Sequence, residues 1–231
     1  MTAVLHRGVT IEQPGGAGVV HGDLVLPPDP PGVVVFAHGS GSSRHSPRNR
    51  MVAEDFQRRR LGTLLMDLLT ADEEAVDRRT RHLRFDIGLL AERVAGAKKW
   101  LAGDGATTGL PVGYFGASTG AAAALVAAGR QPEGVAAVVS RGGRPDLAGD
   151  WLTQVQAPTL LIMGALDTAV IELNRLAYDQ LAGERSLEIV AGATHLFEEP
   201  GTLEEAARLA GEWFARHLTG IAVDGRGTRR W

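Results

Sequence analysis

Three side chains, in this chain order, have the chemistry to break an acyl bond: Ser118, Asp167 and His195. A serine hydroxyl is a weak nucleophile until a neighbouring base takes its proton, and an imidazole is a good base when a carboxylate holds its tautomer. Ser118 sits in Gly116-Ala117-Ser118-Thr119-Gly120, a G-x-S-x-G motif. The motif directly follows the apolar run Pro111–Phe115 and opens the alanine-rich segment Thr119–Gly129. A strand-to-helix corner of this kind lifts the serine onto a strained turn, and flanking glycines remove the Cβ atoms that would collide there. Ser118 is therefore read as a nucleophile rather than as part of an ordinary glycine turn.

Attack on an ester creates an oxyanion, which needs donors about 2.7–3.1 Å away. Thr119 N–H, beside the nucleophile and at a helix start, is one candidate. The second is expected from His38-Gly39-Ser40-Gly41-Ser42-Ser43, the loop after the run Gly32–Ala37, with Ser40 ahead of Gly41. His38 is expected to brace that loop. A phosphate-cradle reading of the same segment is disfavoured, since no G-x-x-x-x-G-K-[ST] occurs in the chain.

Of seven histidines, only His195 follows both the elbow and an acid while lying in a loop after a strand candidate, Ser186–Val190. Asp167, after the run Thr159–Met163, is the first choice for its carboxylate partner. Asp146, in Arg141-Gly142-Gly143-Arg144-Pro145-Asp146, is a competitor that Arg141 or Arg144 could pair with instead. Glu198 and Glu199 are expected to cap or precede the final helix. Gly41, Arg44, His45 and Trp151 are candidate substrate contacts, the first three by proximity to the oxyanion loop and Trp151 as a wall of the acyl pocket. The basic run Arg78–Arg84 is read as a solvated loop and helix start rather than an anion holder.

These residues need a scaffold that delivers loops to one edge. Five short apolar runs (Gly32–Ala37, Gly62–Met66, Pro111–Phe115, Val135–Val139 and Thr159–Met163) fit strands buried on both faces of a parallel sheet. Helix candidates alternate with them at Arg48–Arg60, Phe85–Leu101, Thr119–Gly129, Ala169–Leu181 and Leu203–Leu218. Ala17–Leu26 adds an antiparallel strand. The expected fold is α/β: a mostly parallel central sheet with helices on both faces, in a single domain over residues 1–218. The segment from Arg141 to Ala157 has 17 residues, too few for a helical cap domain. Thr219–Trp231 has no apolar period and reads as a mobile tail.

The 231 residues are 44% hydrophobic, which suits one domain that folds without a metal or disulfide. With no cysteine, thiolate metal sites and cysteine nucleophiles are excluded. A net charge of −3 argues against bulk nucleic-acid or anionic-membrane binding. Only Lys98 and Lys99 are lysines among 24 basic residues, so arginine clusters are discounted as composition. Met1–Arg7 lacks a signal-type apolar core and no stretch approaches membrane-spanning length, so a soluble cytoplasmic protein without cofactor or metal is expected.

Elbow, oxyanion loop, Asp and His in this order resemble the α/β-hydrolase superfamily. The chain is similar, more narrowly, to its dienelactone-hydrolase-like branch. The resemblance rests on Ala37-His-Gly-Ser-Gly-Ser-Ser-Arg-His-Ser-Pro-Arg-Asn, Leu68-Leu-Thr-Ala-Asp-Glu-Glu, Gly116-Ala-Ser-Thr-Gly, Arg141-Gly-Gly-Arg-Pro-Asp and Gly192-Ala-Thr-His-Leu-Phe-Glu-Glu-Pro-Gly. Relatives with these motifs also occur fused to a phosphoribosyltransferase domain, for which 231 residues leave no room. Dienelactone hydrolase itself uses a cysteine nucleophile. What the resemblance implies here is the fold and a serine hydrolase acting on a small-molecule ester through Ser118, Asp167 and His195. An acyltransferase or thioesterase on the same triad, and a non-catalytic binding module, are the alternatives.

Overall fold

The computed structural model of the chain describes residues 3–13 and 16–218. The expected tail 219–231 lies outside the described residues. Eight strands form one sheet: β1 (Leu5–Glu12), β2 (Val19–Leu26), β3 (Val33–Ala37), β4 (Gly62–Met66), β5 (Val112–Ala117), β6 (Val135–Arg141), β7 (Thr159–Gly164) and β8 (Arg185–Val190). Their order is β1-β2-β4-β3-β5-β6-β7-β8. The pairs β1–β2 and β2–β4 are antiparallel and every later pair is parallel. The central strands β3, β4, β5 and β7 are buried at every position, as their continuous apolar runs require.

Helices cover both faces. On one side α1 (Pro47–Arg58) and α6 (Thr202–His217) pack Val52, Phe56, Ala206, Ala210 and Phe214 against Phe36, Phe115 and Ile162. Phe36, Phe56, Phe115 and Phe214 form a chain of rings with centroids 4.9–5.8 Å apart, in tilted and edge-on arrangements that suit the ring quadrupole. On the other side lie α3 (Ile87–Gly103), α4 (Thr119–Arg130) and α5 (Thr168–Gln180). Helix α4 is buried from Thr119 to Gly129. Its alanines let neighbours approach from every side, which is why this helix is apolar all round rather than striped.

Two elements escaped the apolar patterns. Strand β1 buries only Val9 and Ile11, so its sequence carries little alternation. Helix α2 (Ala71–Thr80) buries only Asp77 and has no apolar stripe. It is held by its N-terminus instead: Glu73 N–H donates to Thr70 Oγ1 at 3.3 Å, and Thr70 N–H donates to Glu73 Oε2 at 2.8 Å. The T-x-x-E capping box at Thr70–Glu73 was the available signal. Between β6 and β7 the chain forms a 3₁₀ segment, Pro145–Gln154, kinked at Gly149. It runs along α4, where the Trp151 carbonyl oxygen would lie 2.7 Å from a Cβ on Gly129. No cap domain is built there.

Candidate active site

Ser118 adopts φ 51° and ψ −122° at the junction of β5 and α4. A non-glycine residue in this region carries about 1–3 kcal/mol of strain, which the surroundings must hold. They do so through the backbone: Ser118 N–H donates to Arg141 O at 3.3 Å, and Ser118 O accepts from Ala121 N–H at 3.1 Å and Arg144 N–H at 3.2 Å. The glycines of the motif serve close approach. A Cβ on Gly116 would stand 2.3 Å from Ala121 Cα, and one on Gly120 would stand 2.2 Å from Ala37 O. The corner therefore packs backbone on backbone, and only glycine fits at either position.

The loop after β3 reaches the same corner. A Cβ on Gly39 would lie 3.2 Å from Ser118 Cβ. Within the loop, Ser42 N–H donates to Gly39 O at 3.2 Å, across a turn in which Gly41 has φ 71°. His38 lies beneath. Its Nε2 accepts from Leu68 N–H at 3.2 Å, so its proton is on Nδ1, which donates to Gly39 O at 2.9 Å. Burial pushes the His38 pKa below its ordinary value, against smaller opposing effects of the Gly39 hydrogen bond and of Asp67 and Glu74. His38 is thus a neutral strut between the loop and the end of β4.

His195 and Asp167 approach from the loops after β8 and β7. His195 Nδ1 and Asp167 Oδ2 are 2.6 Å apart. Asp167 stands at the N-cap position of α5 yet makes no side-chain cap bond, so its carboxylate is free for the imidazole. The two loops are tied by Leu166 N–H donating to Ala193 O at 2.9 Å. They meet at Gly164, where a Cβ would lie 2.4 Å from Ala193 O. His195 Cε1 in turn lies 3.8 Å from the Cβ position of Gly142, the residue after Arg141, whose carbonyl holds Ser118. Ser118 and His195 therefore flank the same short stretch at the carboxyl edge of the sheet. Asp146 is occupied elsewhere: Arg144 Nε and Nη2 clamp its two oxygens at 2.8 and 2.7 Å.

Two residues at this edge make contacts that the sequence reading did not give them, although Glu199 does precede the final helix as expected. Glu199 accepts from Thr194 Oγ1 at 2.7 Å and from Thr194 N–H at 3.0 Å, so its side chain clips the His195 loop. Those bonds hold the Glu199 carboxyl below its ordinary pKa. Arg84, expected in a solvated run, is ion-paired at 2.6 Å to the buried Asp77, and its Nη1 comes 3.1 Å from the Cβ position of Gly41. The signal in both cases is a contact distant or irregular in sequence, which no motif announces.

Three expected substrate contacts have their side chains engaged with other residues. Arg44 is bound to Asp67 by its N–H at 3.0 Å and by its guanidinium, with Asp23 at 3.6 Å from Nε. These two carboxylates, one after β4 and one on β2, hold the Arg44 side chain. His45 turns to Arg50, with Nδ1 2.7 Å from Nη2. Trp151 stacks on Arg130, 5.3 Å from ring centroid to Cζ. Arg130 is about 18 Å along α4 from Ser118, at 1.5 Å per residue.

An eight-stranded, mostly parallel sheet with the elbow after β5 and the Asp and His loops after β7 and β8 is the α/β-hydrolase fold. A crystal structure of dienelactone hydrolase from Anabaena variabilis is 55% identical, with a TM-score of 0.90 over 94% of this chain and 99% of that one. The chain belongs to the dienelactone hydrolase family. Est1E from Butyrivibrio proteoclasticus shares the fold at 14% identity, with a TM-score of 0.75 over 91% of this chain and 98% of that one. Two curated Mycobacterium tuberculosis proteins, from different strains and both provisionally named phosphoribosyl transferases, are each 56% identical over 219 residues, or 95% of this chain. The chain spans 48% of their length. No protein-family model matches the chain. Among the described residues no helix is long and apolar enough to cross a membrane, and no group of three or more acids and histidines could hold a metal ion.

Proposed function

We propose that the chain is a serine hydrolase that cleaves carboxylic esters through an acyl-enzyme. The reading is carried by the 2.6 Å contact of His195 Nδ1 with Asp167 Oδ2, on the edge that presents the strained Ser118. In that contact Nδ1 is the donor, so Nε2 is left as the base.

In the proposed reaction Ser118 Oγ bonds to the ester carbonyl carbon as His195 Nε2 takes the hydroxyl proton. Asp167 stabilises the imidazolium through Nδ1–H. The carbonyl oxygen becomes an oxyanion held by two amides. Thr119 N–H is one, being the first of α4 and without an intrahelical acceptor. Ser40 N–H is the other. Gly39 O is committed to Ser42 N–H and His38, and a trans peptide sends the Ser40 N–H in the opposite direction. Collapse breaks the bond to the alcohol, which leaves with the proton from His195. Water, deprotonated by His195, then attacks the acyl carbon and releases acid and Ser118.

The 3₁₀ segment Pro145–Gln154 packs along α4 and is too short for a cap domain, which favours small, soluble, short-acyl esters. A fluorophosphonate probe tests the reading. Covalent labelling at Ser118, absent in Ser118→Ala, together with turnover of p-nitrophenyl acetate, is the expected result. Labelling that persists in a folded Ser118→Ala protein removes Ser118 from the mechanism.

A further inference from the structure

The link from β6 to the 3₁₀ segment, Arg141-Gly142-Gly143-Arg144, meets both halves of the site. Ser118 N–H donates to Arg141 O, and Arg144 N–H donates to Ser118 O, so the link grips the nucleophile's backbone on both sides. From the link's other face, a Cβ on Gly142 would lie 3.0 Å from His195 O and 3.8 Å from His195 Cε1. The link therefore spaces Ser118 from His195. Its own shape is not fixed locally. Two consecutive glycines, the first at φ 51°, admit many backbone conformations.

Neighbouring elements fix it instead. Gly142 N–H donates to Ile162 O on β7 at 2.8 Å. Gly143 is pressed so closely on Ser140 Oγ and Ala121 Cβ that an added Cβ would collide with both. Its buried carbonyl needs a donor, and the donor is a side chain of α5. Asn174 Nδ2 donates to Gly143 O at 3.0 Å and to Val170 O at 2.8 Å. Two carbonyl oxygens facing the amide decide which of its ends is nitrogen. Asn174 is fully buried, and its Oδ1 has no partner among the described residues. A buried acceptor left empty is unfavourable, and asparagine is a mediocre helix former. Packing alone would favour an aliphatic side chain here; what the amide adds is the bond to Gly143.

Asn174 also stands on the helix that begins at the catalytic acid. It follows the N-cap residue Asp167 by seven residues, about two turns, and so lies on the same face. One rigid helix thus carries the carboxylate that orients His195 and the amide that anchors the link holding Ser118. We infer that Asn174 is a positioning residue for ester cleavage, setting the separation of Ser118 Oγ and His195 Nε2 through Gly143. It acts through the link and not on the reacting atoms. This inference rests on the hydrolase reading.

The test compares Asn174→Leu, Asn174→Asp and a control, Thr159→Val, with wild type. The control removes another buried side-chain bond, from Thr159 Oγ1 to Ala157 O, at the opposite end of β7. In Asn174→Leu, kcat for p-nitrophenyl acetate and the rate of fluorophosphonate labelling should both fall about 10–100-fold, as expected for ångström-scale misplacement. KM should change by less than about twofold, because ground-state binding is untouched. Thr159→Val should lower Tm and leave kcat and the labelling rate unchanged. Asn174→Asp keeps the size of the side chain. Its neutral carboxyl can donate to Gly143 O, whereas its carboxylate repels that oxygen, so its kcat relative to wild type should rise as pH is lowered from 8 to 6. A residue that only stabilises the fold would move Tm with pH but not this ratio in folded protein. A folded Asn174→Leu protein with wild-type kcat and labelling rate overturns the role, as does a Thr159→Val protein that loses as much activity. If Asn174→Leu does not fold, Asn174→Asp decides, and a ratio that stays depressed and flat with pH overturns the role. A wild type whose Ser118 takes no label is a separate failure: it overturns the hydrolase reading and removes the reaction that Asn174 would serve.

Discussion

His195 Nδ1 and Asp167 Oδ2 lie 2.6 Å apart, although 28 residues and the whole of α5 separate them in the chain. The contact exists because β7 and β8 are parallel neighbours in register, Gly164 opposite Val190, so the loops that follow them leave the sheet side by side. Replacing Asp167 by Asn should therefore lower kcat by up to about 10⁴, as loss of tautomer control does in a comparable triad. Asp146→Asn, at a carboxylate already clamped by Arg144, should cost far less activity. Steady-state kinetics on both folded proteins decide the matter, and the reverse ranking would sink the assignment of Asp167.

Glu199 gives a subtler expectation. Its two bonds to Thr194 hold the residue before His195. Glu199→Gln keeps the shape but weakens both bonds. Misplacing a catalytic group by about 1 Å can cost about 10²-fold, so a fall in kcat of about tenfold with little change in Tm is expected. Unchanged kcat would show that the loop holds itself.

The elbow should not tolerate a single added methyl group. In Gly120→Ala the new Cβ would meet Ala37 O at 2.2 Å, and backbone cannot move aside cheaply. Overpacking of this kind costs about 1–3 kcal/mol or more. For a domain of this size that is a fall in Tm of at least about 2–4 °C per kcal/mol. A calorimetric Tm equal to wild type would contradict the packing described.

His38 should make stability pH-dependent. Its folded-state pKa is lowered by burial, so the native protein resists a proton that the unfolded chain accepts near pH 6.5. The unfolded state then binds more protons than the native one, and stability falls as pH drops through and below about 6.5. His217, lowered mainly by burial as well, adds in the same direction. Urea midpoints measured from pH 8 to 5 should decline in wild type and decline less in His38→Gln. Equal slopes in both would remove His38 as a source.

Acyl length should matter little. Each methylene sealed in an apolar tunnel would be rewarded by about 0.8 kcal/mol, whereas the ten-residue 3₁₀ segment Pro145–Gln154 is too short to form a cap domain. Across p-nitrophenyl esters from acetate to octanoate, kcat/KM is expected to be flat or falling. A steep rise would reveal an apolar wall not formed by Trp151.

How much of this was legible beforehand follows the range of the interactions. The buried strands, the elbow and the order Ser, Asp, His are local or ordinal features, and apolar runs and glycine spacing write them into the chain. Helix α2 announced itself only through Thr70 and Glu73, because a surface helix with one buried residue has no apolar stripe. The fate of each charged residue was not legible at all. Arg44 and Arg84 both stand near the oxyanion loop, yet Asp67 and Asp77 claim them. Asp146 took Arg144, two residues away, and Arg141 lies between Phe115 and Phe197 with no carboxylate partner among the described residues. Sequence by itself determined the α/β scaffold and the residue types able to do acyl chemistry, since backbone propensity and burial act over a few residues. Only the tertiary structure decided which carboxylate meets His195 and which carboxylate each arginine meets. Ion pairing depends on distances between side chains, and those are set by strand order and register rather than by spacing along the chain.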